Sequence, residues 1–349
     1  MRIPVVLLGA TGSVGQRMAF LLSRHPWFEL KILAASERSA GKNYKEAVHW
    51  ALPEELPVKI REQSVMSCDP IQKPSLVFSA LDSSVAGPIE EDWARQGHFV
   101  VSNAKNHRMR SHTPLVVPEV NPGHLESLKC QGYGSGAIVT NPNCVVSGIA
   151  LALKPLIDAF GLESLHTVTM QALSGAGLPG VSAIEALGNV IPYISGEEEK
   201  IEEELKKIWG EWDGGCFLPH GVSITAQCNR VPVVDGHLAS LYFRLSDDSC
   251  EKDLKKVLSG FQKPLYLEAL PTAPEKPLYY FDHPGFPQPR LHKNLGKGMS
   301  VSIGALRKTG KGLFQCLVLS HNTVRGAAGA ALLNAELCVT KGWVQSCES

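Results

Sequence analysis

A β-rich apolar run, Ile3 to Leu8, turns through Gly9, Gly12 and Gly15 and leads straight into a helical pattern. Met18, Ala19, Leu21 and Leu22 then fall at the spacing of one helix face. This strand–turn–helix constrains the chain more than any other feature. Glycines let the backbone turn tightly and let a pyrophosphate approach the first helical turn, where free N–H groups and the helix dipole favour an anion. The spacing is G-x-x-G-x-x-G rather than the commoner G-x-G-x-x-G. The alternative is a plain tight turn, but the flanking strand and helix favour a dinucleotide cradle.

The next strand, "FELKILAAS", runs into "SERSAGK". A cradle for NAD usually ends this strand in an acidic side chain that holds the ribose hydroxyls. Here Ser36, Arg38 and Ser39 suit a 2′-phosphate, which favours NADP; Glu37 stands among them. "SLVFSA" and "HFVVSNA" read as further strands, with a helix between them that begins near Ser83 or Ser84. Alternation of this kind predicts a doubly wound parallel sheet. Lys105 and Arg108 follow one strand's end, where such sheets bind ligands.

After Pro142 the pattern changes. Long β-branched runs with fewer helices between them predict an α+β domain with a mostly antiparallel sheet and helices on one face. With 349 residues the chain exceeds one ordinary core. The expected division is a cofactor domain of residues 1–142 and 322–349 and a catalytic and dimerisation domain of residues 143–321. The final run, "NTVRGAAGAALLNAEL", reads as a helix of small residues packed closely on the cofactor domain.

"NPNCVVSGIA" sets Cys144 at the start of an apolar helix. A helix N-terminus stabilises a thiolate, and its N–H groups, with the Asn143 amide, suit an oxyanion. The plain alternative is an inert buried thiol. His237, in "NRVPVVDGH", sits where a strand breaks at Asp235-Gly236 and suits acid–base work. Arg230 suits a two-pronged grip on a carboxylate. In "GEEEKIEEELKKI", Glu197 and Lys200 share a face at the helix start, and the remaining charges are expected in solvent.

Formal charge is balanced, with 34 basic and 34 acidic residues. That gives no footprint for nucleic acid. The nine cysteines include no Cys-x-x-Cys pair, so no metal site is expected, and free thiols suit a reducing compartment. The opening run is short and broken by glycine, and no run reaches membrane-spanning length; a cytoplasmic protein is expected.

The ordered set "LGATGSVGQ", "SERSAGK", "SNAKNHRM", "NPNC", "QALSGAG", "GEEEK", "NRVPVVDGH" and "HNTVRGAAGA" resembles the aspartate-β-semialdehyde dehydrogenases, in their archaeal and fungal branch. The resemblance covers most of the chain. It implies NADPH-dependent conversion of L-4-aspartyl phosphate to L-aspartate 4-semialdehyde, in biosynthesis of the aspartate family of amino acids, by a homodimer or homotetramer. It makes Cys144 the acyl-forming nucleophile and His237 the acid–base residue, with Gln171 and Asn143 beside them. Arg230 would hold the substrate carboxylate and Glu197 its ammonium. Lys200 and Arg108 would hold phosphate, with Asn106 nearby. For NADP it implies Gly9, Thr11, Gly12, Ser13, Val14, Gly15, Ser36, Arg38, Ser39, Ser83, Ser174, Gly175 and Asn322. Departures from the family pattern are Val145, His107 and Leu178, at positions where a hydroxyl residue, a tyrosine and an aromatic are frequent. Rival readings are a malonyl-CoA reductase, an N-acetylglutamyl-phosphate reductase, and an inactive NADP-binding sensor.

Overall fold

The computed structural model describes residues 2–73, 75–247 and 249–344; Cys347 lies outside them. Six strands form the first sheet: β1 (Ile3–Leu8), β2 (Phe28–Ala34), β3 (Val65–Met66), β4 (Leu76–Ser79), β5 (Phe99–Ser102) and β6 (Ala137–Thr140). Their order is β3-β2-β1-β4-β5-β6, and every pairing is parallel. Strand order reverses between β1 and β4, the kind of crevice in which open α/β sheets take ligands. The segments LVFS, FVVS and AIVT of β4, β5 and β6 are buried throughout. Continuous apolar strands of this type need cover on both faces. Helices α1 (Ser13–Leu22) and α2 (Ser83–Arg95) supply part of it. Met18, Ala19 and Leu22 of α1 sink beside Val5, Leu7 and Phe28.

The second half opens with α3 (Val146–Phe160), two residues later than expected, so Cys144 precedes the first helical turn instead of lying in it. Strand β7 (Ser164–Gln171) follows, then α4 (Glu197–Ile208), β8 (Ser223–Arg230) and β9 (His237–Arg244). After α5 (Glu251–Gly260) come β10 (Leu278–Phe281), β11 (Val301–Gly310) and β12 (Leu313–Ser320). The sheet order is β8-β7-β9-β12-β11-β10. The sheet is mixed: β8–β7 and β10–β11 are parallel, and the other three pairings are antiparallel. Apolar residues of α3, α4 and α5 fill a core against one sheet face.

The chain then returns to the first sheet. A π-type turn, Val324–Ala328, runs into α6 (Gly329–Thr340). Ala328, Ala331 and Leu332 join the cluster that holds Val5 and Phe78. Small side chains let this helix approach closely, as expected from the sequence. Among the described residues no helix is long and apolar enough to cross a membrane.

Candidate active site

Strand register gathers the site. Gln171, the last residue of β7, pairs with Arg230, the last of β8. His237, the first residue of β9, pairs with Ser320, the last of β12. Four strand ends therefore meet at one sheet edge, and residues far apart in sequence become neighbours. Cys144 arrives there from the end of β6, and its Sγ lies 3.0 Å from His237 Nε2. Gly326 packs directly on Cys144, where a Cβ would lie 2.8 Å from the Cβ of Cys144.

His237 is fixed from behind. The Ala172 N–H donates to its Nδ1 over 3.0 Å. A neutral ring accepting at Nδ1 carries its proton on Nε2, so that N–H faces the sulfur. Burial, with Arg230 adding to it, holds this imidazole down at about 3. Arg230 Nη1 donates to the Ala172 carbonyl over 2.8 Å. One peptide residue thus clamps both the imidazole and the guanidinium. Gly175 passes so close that a Cβ there would lie 2.8 Å from Arg230 Nη1 and 3.0 Å from His237 Cε1.

The thiol departs from expectation. Burial, followed by the charge of Glu197, pushes Cys144 up to about 12. Arg108 and Arg230 act in the opposite direction but do not outweigh these two effects. Asn143 is held on three sides, which leaves one N–H of its carboxamide for an oxyanion. Its Nδ2 donates to Glu197 Oε2 over 2.8 Å, its Oδ1 accepts from the Val145 N–H, and its own N–H donates to Glu204 Oε2 over 2.6 Å.

Glu197 also accepts from Lys200 over 2.6 Å and from Gln171 Nε2 over 3.2 Å. Burial alone would raise its carboxyl, but Lys200, Asn143 and Gln171 outweigh it and hold the group below the usual range. Arg108 Nη1 donates to Glu204 Oε1 over 2.8 Å and Nη2 to the Asn103 carbonyl over 2.7 Å. Its Nε is buried without a partner among the described residues. Asn106 does not join this cluster. It is exposed, and its Nδ2 donates to the Ser83 carbonyl at the start of α2.

The expectation that the later charges of α4 face solvent fails at Glu204 and Lys207. Both are buried. Lys207 Nζ donates to the carbonyls of Arg108, Arg110 and Thr113, fixing the loop that carries Arg108. The legible signal was spacing: Glu197, Glu204 and the apolar Ile201, Leu205 and Ile208 recur on one side of the helix.

The glycine turn fits a dinucleotide. Gly9 has φ +74°, and a Cβ there would meet the Ala80 carbonyl oxygen at 2.5 Å. A Cβ on Gly15 would overlap the Gly9 carbonyl. No side chain caps Gly12 at the start of α1, so the first-turn donors are left for a ligand. Thr11, Ser13 and Val14 lie in this same turn. Ser36 and Arg38 are exposed beyond β2 and Ser39 is buried beneath them. The second domain reaches over: Gly177 approaches Ser13, and Asn322 Nδ2 donates to Ser174 Oγ over 2.8 Å. Among the described residues no group of three or more His, Cys, Asp or Glu is arranged to hold a metal.

Comparison with known proteins gives a consistent picture. Residues 4–128 match the family "Semialdehyde dehydrogenase, NAD binding domain", and residues 153–325 match "Semialdehyde dehydrogenase, dimerisation domain". The aspartate-semialdehyde dehydrogenase of Archaeoglobus fulgidus is 44% identical, over 97% of this chain and 98% of its own. That of Schizosaccharomyces pombe is also 44% identical, over 97% and 98%. The crystal structure of the Candida albicans enzyme with NADP superposes with a TM-score of 0.89 at 40% identity, covering 99% of this chain and 100% of that one. With its fold and its matched length in agreement, the chain belongs to the aspartate-semialdehyde dehydrogenase family.

Proposed function

We propose that this protein is an NADP-dependent aspartate-semialdehyde dehydrogenase that interconverts L-4-aspartyl phosphate and L-aspartate 4-semialdehyde through a thioester on Cys144. The observation that carries this reading is the 3.0 Å contact between Cys144 and His237 at the junction of glycine cradle and sheet edge. The Gly9–Gly15 turn with Ser36, Arg38 and Ser39 would hold NADP, whose chemistry would be to supply or accept the hydride. The remaining chemistry belongs to the chain.

Cys144 Sγ attacks the acyl carbon of the acyl phosphate and the C–O bond to phosphate breaks. The thiol proton leaves with the departing group as hydrogenphosphate, and the acyl chain stays on sulfur. The Nε2–H of His237 meets charge developing beside the sulfur, both here and when the sulfur is later expelled as the aldehyde forms. Arg230 spends one N–H on Ala172 among the described residues and offers its others to the substrate carboxylate. Glu197 receives the ammonium, with Gln171 and Asn143 holding its carboxylate in place. An ammonium on Glu197 also offsets the charge that adds to burial in raising Cys144, burial being the larger effect. Arg108 and Lys200 take the phosphate. Glu197 favours an amino-acid substrate over malonyl-CoA, which has no ammonium.

The division into residues 1–142 with 322–349 and residues 143–321 assigns cofactor binding to the first unit and catalysis to the second. Val168, Met170, Leu238, Tyr242 and Leu317 lie on the sheet face opposite α3, α4 and α5. That face pairs with a second copy, and the name of the matched dimerisation domain supports it. A cytoplasmic location follows from biosynthetic chemistry that runs on free thiols.

The test is reduction of NADP by the pure protein with L-aspartate 4-semialdehyde, with and without phosphate. Steady turnover that requires phosphate is expected. Turnover indifferent to phosphate, or none, would reject the reading.

A further inference from the structure

The buried carboxylate of Glu204 is not used by the chemistry above, yet it touches two parts of the site at once. Its Oε1 accepts from Arg108 Nη1 over 2.8 Å and its Oε2 from the Asn143 N–H over 2.6 Å. Asn143 is the residue from which Cys144 follows. Glu204 lies two helical turns beyond Glu197 on α4, and Glu197 grips the side chain of the same Asn143. One helix face therefore holds Asn143 by backbone and side chain together. Arg108 closes the circuit: its Nη2 reaches the Asn103 carbonyl, and the Asn103 Oδ1 accepts from Asn141 Nδ2, in the same Asn-Pro-Asn segment.

We propose that Glu204 is a positioning residue that holds the phosphate-binding guanidinium and the nucleophile-bearing turn as one unit. This deepens the function proposed above and rests on it. Two acceptor oxygens are needed because two donors converge on them. A buried Arg108 without Glu204 would be uncompensated and would turn elsewhere. The Asn143 peptide would lose its anchor, and Cys144 would lose its alignment with His237.

Glu204→Gln tests this, because a carboxamide keeps the shape but offers one acceptor. It satisfies Arg108 or Asn143, never both. Three quantities are measured: KM for phosphate against KM for NADP, inorganic phosphate binding by calorimetry, and the iodoacetamide rate at Cys144 without substrates. The expected result is a KM for phosphate and a Kd for phosphate each raised about tenfold, the scale of a lost charged hydrogen bond. Alkylation of Cys144 changes severalfold, while KM for NADP stays within about twofold. If Glu204→Gln does not fold, Glu204→Asp carries the same test, since it keeps the charge but lacks the reach to both donors. Unchanged phosphate affinity and unchanged alkylation would overturn the proposal, as would an equal loss in every parameter. A wild type that binds phosphate but does not turn over would defeat the functional reading alone. Binding and alkylation would then still decide the role of Glu204.

Discussion

The N–H of Ala172 points at Nδ1 of His237, 3.0 Å away, and this bond determines which ring nitrogen carries the proton. A second proton on the ring would set Nδ1–H against the Ala172 N–H. The imidazole is accordingly neutral in the folded protein, held at about 3 by burial and then by Arg230. An unfolded chain gives this histidine its ordinary value near 6.5.

Acid stability follows with a definite sign. Between pH 6.5 and 3 the unfolded state binds a proton that the folded state refuses. Stability therefore falls as pH drops below about 6.5, by at most about 1.4 kcal/mol per pH unit from this residue. Chemical denaturation at pH 7, 6 and 5 checks it. His237→Gln is expected to lose less stability over this range than the wild type. Equal losses would show that folding does not lower the proton affinity of this ring.

Glu197 raises the Cys144 thiol through its charge. Glu197→Gln should shift the pH profile of Cys144 alkylation toward lower pH, making the thiol more reactive near pH 8. At the same time KM for the semialdehyde should rise, because the ammonium loses its counter-charge. The two effects run in opposite directions, which separates them from general damage. A slower alkylation would refute the electrostatic assignment.

Gly175 is required by crowding rather than by backbone conformation, since an added Cβ would press on Arg230 Nη1 and His237 Cε1. Gly175→Ala should reduce kcat/KM by roughly 10²-fold, in line with the cost of small misplacements at a reacting centre. Thermal stability should change much less. Full activity in this variant would mean that His237 does not need its present position.

Much of this was legible in local patterns. The strand and glycine turn at Gly9 to Gly15 depend on neighbours within a few residues, and so does the parallel alternation that builds the first sheet. Arg230, Gln171 and His237 were readable as candidates, but their convergence depends on strand register, which no local pattern contains. Glu204 and Lys207 looked like solvated helix charges because their partners, Arg108, Asn143 and three carbonyls, lie about 60 to 100 positions away. The state of Cys144 was misread for the same reason. Its proximity to a helix start was visible, whereas its half-buried place near the charge of Glu197 was not.

The central claim is that the acyl group is carried on Cys144, and trapping it is the most direct measurement. The protein is mixed with L-aspartate 4-semialdehyde and NADP without phosphate, quenched in acid, and digested for mass spectrometry. The account predicts an aspartyl adduct on the peptide containing Cys144, approaching one per chain and discharged by added phosphate. An adduct on a different cysteine, or none while phosphate supports turnover, would contradict it.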